Sequence, residues 1–386
     1  MRTCLLKAGL SRTRGSAAFA LGSPRAWLGL AYHEVLEKIA RVNCQPEVFD
    51  NTVDSLWNQA ITKQLERAIS HPLNCRFASP ETWPGYYVAH ASVHLRAREL
   101  VGLAATDKSR RQSPSPCVSS TKREETFAAC DGKLLGRPDV VRNGEILDYK
   151  TGDIFERGEN NTDTNLKASY VRQLRLYAFL ATSALSVSIH RGILYPITGQ
   201  PVEVELDQST CRDEAQAALT LLDRYNNLVN VGAGPNDLAS PSPDTCCLCP
   251  FQIICPALWS AVNDNWFGKL DGELLRGPVP DGPKQLLGGG AFTLAVIVQA
   301  GTVKPGRLEL SPLAVELHQD ISALKARDSI RITGLGRRLD STVFPSKRTI
   351  LIQESKLPEI KTAPDNEAVP QNATTKGRPE QTNAKS

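Results

Sequence analysis

The sequence predicts an α/β unit, helices first with a strand meander at its centre, followed by a smaller β-rich module. Three observations carry that expectation. Apolar residues recur at helical spacing before residue 101, as in Leu28, Ala31, Val35, Ile39 and Val42. Between residues 123 and 150 the pattern turns strand-like, punctuated by the hairpin signals Asp131-Gly132 and Asn143-Gly144. Beyond residue 262 the chain becomes Gly/Pro-rich and then breaks into short β-like runs.

In chain order, helices are expected over 24–42, 46–70 and 85–101. Residues 106–122, rich in Ser, Pro and Arg, read as a mobile loop. Strands follow over 123–150, then a helix over 166–184, strands near 187–195 and 201–206, and a helix over 209–229. Residues 1–262 would thus form one domain, and 263–290 a linker marked by Gly277-Pro278 and Gly288-Gly289-Gly290. Residues 291–355 carry the runs 292–303, 308–310, 329–332 and 349–352, as a small OB-like barrel would. Lys325, Arg327, Arg337, Arg338, Lys347 and Arg348 would supply positive charge there. Aromatics are scarce (Phe292 and Phe344), so a groove for single strands and a structural or protein-docking barrel both stay open. Residues 356–386, poor in apolar positions, are expected to be disordered.

Charge is nearly balanced, with 45 basic and 41 acidic residues in 386 and a net +4. That permits a nucleic-acid partner without demanding one. No apolar run approaches the roughly 18 residues of a membrane helix, so a soluble, cytoplasmic protein without a membrane partner is expected. The first 33 residues carry Arg2, Lys7, Arg12, Arg14 and Arg25 and no acid. They fit either an organellar transit segment or a basic arm folded onto the body.

The turns set a register that gathers chemistry. With Asn143-Gly144 as a two-residue loop, Arg142 pairs with Glu145 and Asp139 falls opposite Asp148. Lys150, two residues on, shares that face, while Pro138, Val140, Leu147 and Tyr149 form an apolar opposite face. The second turn pairs Cys130 with Lys133 and, continued outward, places Glu124 opposite Asp139, unless Gly136 hosts a bulge. Carboxylates so close repel unless a cation intervenes. Two or three of them suit Mg²⁺ or Mn²⁺, which lowers the pKa of a bound water and stabilises charge on a phosphate. Lys150 can orient that water or neutralise the developing oxyanion.

Four cysteines crowd into Cys246, Cys247, Cys249 and Cys255. Adjacent Cys246 and Cys247 could not bridge without strain, so a metal centre fits better than a disulfide. Cys246, Cys249 and Cys255 form C-x2-C-x5-C, and Cys247 is read as a bystander. Cys44, Cys75, Cys117, Cys130 and Cys211 read as ordinary thiols. His90 and His94 are four apart on a helix, which invites a zinc reading, but Ala-Ser-Val between them lacks the H-E-x-x-H glutamate. A solvent- or DNA-facing surface is expected for that pair. No G-x4-G-K-[ST] occurs, so any helicase would be a separate partner.

Together these residues resemble the PD-(D/E)XK nuclease superfamily, specifically the RecB-type branch with an iron–sulfur cluster, similar to CRISPR-associated exonucleases and AddB-type nucleases. The signature reads Pro138-Asp139, then Asp148-Tyr149-Lys150. Residues 29–37 resemble the family's G-x3-H-x2-LE helix, and Tyr170 to Tyr177 its Y-x2-Q-L-x2-Y helix. The resemblance covers roughly residues 1–260. It implies a restriction-endonuclease-like core, a central mixed β-sheet flanked by helices. It further implies a Mg²⁺- or Mn²⁺-dependent DNase, an exonuclease on single-stranded DNA in repair, recombination or CRISPR defence. His33, Asp139, Asp148, the Tyr149 carbonyl and Glu124 would hold metal, Lys150 would be catalytic, and Gln173 and Tyr177 would position it. Read without the resemblance, Gln173 and Tyr177 are i,i+4 neighbours that ordinary amphipathic packing also explains. Cys4 occupies the place of the branch's N-terminal cluster cysteine, with Leu5 where members often carry Pro. Cys4, Cys246, Cys249 and Cys255 would then hold a [4Fe–4S] cluster, structural Zn²⁺ being the alternative. A catalytically idle DNA-binding scaffold of a repair complex is the competing reading.

Overall fold

The computed structural model describes residues 4–42, 45–102, 121–157 and 164–360. Most of the loop expected over 106–122 (residues 106–120), the tail from 361, Cys44 and Cys117 lie outside them, and Lys122 of that loop already belongs to a strand.

The N-terminal stretch forms helices α1 (Leu5–Leu10) and α2 (Arg14–Ala17), with Leu5, Leu6 and Leu10 buried. The described part of this basic segment folds onto the body, Leu5, Leu6, Leu10 and Leu21 packing with Phe251, Ile253 and Ile254. A layer of three helices follows: α3 (Pro24–Ile39), α4 (Phe49–Ile69) and α5 (Tyr86–Leu100). Ser23 caps α3 by accepting the Ala26 N–H, and Pro24 sits at the first helical position, where its missing N–H costs nothing. The helices meet around fully buried Trp57, Tyr32 and Ile39.

The meander supplies β1 (Lys122–Arg123), β2 (Phe127–Ala129), β3 (Leu134–Gly136), β4 (Val140–Arg142) and β5 (Glu145–Lys150). A short hairpin, β6 (Phe155–Arg157) with β7 (Thr164–Leu166), precedes helix α6 (Ala168–Leu185). Then come β8 (Arg191–Pro196), β9 (Val202–Glu205) and the long helix α7 (Gln208–Asn230). The central sheet has the order β1-β4-β5-β8-β9. β5 and β8 are parallel and the other neighbours antiparallel, so the sheet is mixed. Its Val140, Leu147 and Tyr149 face packs on α3, α4 and α5. Its Val141, Ile146 and Leu194 face packs on α6 and α7. The expectation that only one face of the strand pair is apolar is therefore corrected: β5 is central and helices cover both sides, with acids at one end.

Both turns fold as their sequences require. Asn143 and Gly144 have φ of 49° and 76°, and Asp131 and Gly132 54° and 76°, the left-handed pair that a tight hairpin turn needs. Arg142 pairs with Glu145 as expected. Gly136 hosts no bulge: β2 and β3 stay in register from Phe127–Gly136 to Ala129–Leu134. A Cβ at Gly136 would lie 2.6 Å from Leu180 and 3.0 Å from Tyr177, so glycine is there to let α6 approach.

The cysteine segment spans α8 (Pro235–Leu238), α9 (Pro243–Cys246) and α10 (Pro256–Ala261). The C-terminal module has strands β10 (Glu273–Pro278), β11 (Lys284–Gln285), β12 (Ala291–Val298), β13 (Ala300–Gly301), β14 (Gly306–Ala314), β15 (Ser329–Arg337), β16 (Val343–Phe344) and β17 (Ile350–Gln353). They make one sheet ordered β13-β10-β15-β16, with β17 also on β15, and another ordered β11-β12-β14. The two enclose one apolar core, and no sheet closes on itself.

Two expectations change here. The stretch read as a linker contains β10, the strand between β13 and β15, with Leu274 and Leu275 fully buried. Gly277 marks close packing instead, since a Cβ there would fall 1.9 Å from the Ile297 carbonyl oxygen, whereas Gly288 and Gly290 stand in open space. Residues 356–360, assigned to the tail, are ordered, Leu357 and Ile360 packing near Ile350 and Phe251. Gly277→Ala is therefore expected to destabilise the protein by about 3 kcal/mol in urea melts, since backbone must move to admit the methyl. An unchanged midpoint would refute so tight a crossing of β10 and β12.

Candidate active site

Asp139 organises the site. Its Oδ1 lies 2.9 Å from His33 Nδ1 of α3, and its Oδ2 accepts the Tyr149 N–H at 2.6 Å. Its backbone carbonyl accepts the Glu124 N–H at 3.0 Å. The carboxylate thus takes a main-chain donor just where the ladder between β4 and β5 ends, at Val140–Leu147. Glu124 has φ 49°, a left-handed kink directly after β1. Its Oε1 is 3.8 Å from His33 Nδ1. His33, Glu124 and Asp139 offer ligand atoms that all lie within 4.8 Å of one another. The sequence-derived register that placed Glu124, Asp139 and Asp148 across three strands describes this arrangement.

Asp148 is buried on β5, its Oδ2 against the Lys150 ammonium. That oxygen receives no well-directed hydrogen bond. Lys150 donates to Gln173 Oε1 at 2.8 Å, and Gln173 Nε2 donates to Tyr177 OH at 2.9 Å. The Lys150 ammonium also lies 4.8 Å from the centre of the Tyr170 ring. The α6 motif therefore holds the lysine from two sides, through Gln173 and Tyr170, and Tyr177 supports Gln173 in turn. α3 can come this near because Gly29 leaves room: a Cβ there would lie 2.9 Å from Thr151 Oγ1. The residues border one open groove of ≈ 900 Å³.

Sequence reasoning left Arg137 without a role. Its Nε is 2.8 Å from Glu124 Oε2 and its Nη2 3.3 Å from Glu37 Oε2, so it steadies the third acid. The signal was its place inside Gly136-Arg137-Pro138-Asp139, two residues before the first aspartate.

Electrostatics fit a cation. Burial opposes a charge on His33, but hydrogen bonds and charges from Asp139 and Glu124 outweigh it and push its pKa up to about 10. Burial likewise raises Asp148, with Lys150 pulling it down and Asp139 adding to the rise. The protein alone thus holds a proton among these carboxylates. A divalent ion fits the donor set, hard carboxylate oxygens with one imidazole, and Asp148 Oδ2 lacks a directed partner.

At the other centre, Cys4, Cys246, Cys249 and Cys255 line one small cavity of ≈ 20 Å³ together with Thr245 and Leu258. Burial raises Cys255 to about 12, and the neighbouring Cys249, Cys246 and Cys4 add to the rise. Cys255 Sγ accepts the Leu258 N–H at 3.4 Å. Cys247 instead borders the cleft beside Arg348 and Asp271. His90 and His94, expected on a solvent- or DNA-facing surface, are partly exposed and both turn to Asp54 of α4.

The profile of the PD-(D/E)XK nuclease superfamily matches residues 1–256. The chain belongs to the PD-(D/E)XK nuclease superfamily. That membership points to a metal-dependent nuclease with DNA as substrate, and the matched residues contain every side chain of the carboxylate site. No curated protein matches the chain. Among the described residues, no helix is long and apolar enough to cross a membrane.

In EDTA-treated nuclease, the His33 ring is expected to titrate near 10 by NMR, and Asp139→Asn to return it towards 6.5. Because the folded value is raised, the stability this proton confers is complete below pH 6.5 and is lost as pH climbs through about 10. A wild-type ring titrating near 6.5 would contradict the His33–Asp139–Glu124 contacts.

Proposed function

We propose that the protein is a Mg²⁺- or Mn²⁺-dependent deoxyribonuclease that hydrolyses phosphodiester bonds from single-stranded DNA ends. The observation that carries this reading is the convergence of Glu124, Asp139, Asp148 and Lys150 in one open groove. His33, Glu124, Asp139, Asp148 and the Tyr149 carbonyl would hold the ion, which supplies an acidic bound water and a counter-charge for the phosphate. Lys150, steadied by Gln173, neutralises charge developing on the phosphate oxygens. Tyr177 fixes Gln173 in turn. Lys38, Arg41, Lys63 and Arg67 border the same groove and suit contacts to the DNA backbone. The preference for single strands and ends, and a setting in repair, recombination or CRISPR defence beside a separate helicase, rest on the resemblance to the RecB-type branch.

In this reading Cys4, Cys246, Cys249 and Cys255 hold a [4Fe–4S] cluster. The resemblance to the RecB-type branch favours it over structural zinc, and the four cysteines line one cavity. The C-terminal module reads as OB-like because two sheets, β11-β12-β14 and β13-β10-β15-β17, wrap one apolar core and leave a side open, as in a partly open barrel. Its charge is partly spent internally: Arg337 meets buried Glu273 at 3.0 Å and Arg348 meets Asp271.

Purified protein with Mg²⁺ or Mn²⁺ should degrade linear single strands, spare circular ones, and stop on EDTA addition. Discrete fragments from duplex DNA would instead make it an endonuclease. Asp148→Ala should abolish cleavage and Lys150→Ala lower it by roughly 10²–10³-fold, with circular dichroism unchanged. Full activity in either variant would remove these roles and favour the idle scaffold. Anaerobically purified protein should carry iron and visible absorbance, and zinc in its place would overturn the cluster.

A further inference from the structure

Helices α4 and α5 each present an i,i+4 pair toward the other, Asp50 and Asp54 against His90 and His94. Both imidazoles aim Nε2 at the same atom: His90 Nε2 is 2.8 Å and His94 Nε2 2.9 Å from Asp54 Oδ1. The three ligand atoms lie within 4.8 Å of one another. We propose that His90, His94 and Asp54 form a second metal site, separate from the carboxylate groove, which takes a divalent ion of Zn²⁺ type and staples α4 to α5.

The donor set selects the metal. Two imidazole nitrogens with one carboxylate oxygen suit Zn²⁺, and Mg²⁺ prefers all-oxygen surroundings. Three protein ligands leave a fourth position for water, and all three side chains are only partly buried, so an ion can reach them. Tetrahedral bonds of about 2.0–2.1 Å place ligand atoms ~3.4 Å apart, a small side-chain adjustment from the present separations. The ion would replace the protons now shared between Asp54 and the two rings.

The rings are already held for this. His94 Nδ1 lies 3.2 Å from Asp50 Oδ1, and Arg98 Nη2 donates to Asp50 Oδ2 at 2.6 Å. That is the carboxylate–histidine relay that fixes the tautomer of a metal ligand and leaves Nε2 for the ion. His90 stacks on Trp57, ring centres 5.2 Å apart and planes inclined by 28°. The H-E-x-x-H glutamate missing from α5 does not bear on this site, because the oxygen ligand comes from α4. Trp57 also anchors the apolar core shared by α3, α4 and α5, so metal occupancy would be felt as stability of the helical layer.

The test uses untagged full-length protein, stripped of loosely bound metal and titrated with ZnCl2 in excess Mg²⁺ so that the carboxylate site is competed. Wild type should hold about one more zinc per chain than the His90→Ala/His94→Ala double variant, and zinc should raise its melting temperature more. Asp50→Asn should keep the site but weaken it by ~10–100-fold. Nuclease activity in Mg²⁺ alone, unchanged in each variant, shows that the fold persists. Equal zinc counts and affinities in wild type and the double variant would overturn the proposal. Should the double variant not fold, an Asp50→Asn affinity equal to wild type overturns it as well. Zinc retained at the cysteines alone gives that same equal count, so failure here leaves the nuclease reading untouched.

Discussion

The Asp139 carboxylate is the constraint on which the site depends. One oxygen holds a helix through His33, the other holds a strand through the Tyr149 N–H, and its own carbonyl ties down Glu124. The group is 6% exposed, and a buried charge is tolerable only with such partners. Removing one member of a buried pair costs about 3–5 kcal/mol because a lone charge is left behind. The same bonds that make the acid affordable therefore fix the approach of α3 to the sheet. Strand register then brings the third acid and the lysine to the same end of the sheet, where Arg137 and Gln173 hold them.

Much of this was legible because the turns carry their own geometry. Asn143-Gly144 and Asp131-Gly132 both adopt the left-handed pair that their residue types favour, and period-2 alternation carries the register outward to Asp148 and Glu124. The long helices α3 to α7 were equally readable from the sequence, whereas the short α1, α2 and α8 to α10 span too few turns to show a period. What the sequence hid has specific causes. Glycine in β10 resembles linker glycine, yet Gly277 is demanded by the Ile297 carbonyl, which belongs to a strand some twenty residues away. The β6–β7 hairpin is too short to show a period. Asp54 reaches His90 across 36 residues, a separation no local spacing reveals.

The cysteine segment joins parts that are remote in the chain. Phe251, Ile253 and Ile254 pack with Leu5, Leu6 and Leu10 of α1 and with Ile350 of β17. Arg331 of β15 adds a bond to the Ile253 carbonyl at 3.2 Å and lies over the Trp259 ring. Arg76, buried after α4, donates to the Leu73 and Leu317 carbonyls at 2.6 and 3.2 Å and also to that of Thr349. The two domains are therefore bolted together through guanidinium groups capping carbonyls.

Stability and chemistry are consequently built in different places. No residue of α3, β1, β4, β5 or α6 belongs to the apolar cluster around Cys4, Cys249 and Cys255. The helix α7 spans the gap: it packs on α6 at one face and lends Leu221, Tyr225 and Leu228 to the cysteine cluster at the other. A group bound by the cysteines would order α1, the cysteine segment and β17 first, because those are what the cluster touches. From there the chain reaches the groove on two sides, through α7 to α6, where Gln173 holds the Lys150 ammonium, and through Leu21, bonded to the Pro250 carbonyl, into α3 and His33. A group held there would sit apart from the groove, whose lining includes none of the four cysteines, and so could bear on cleavage only through the protein between them.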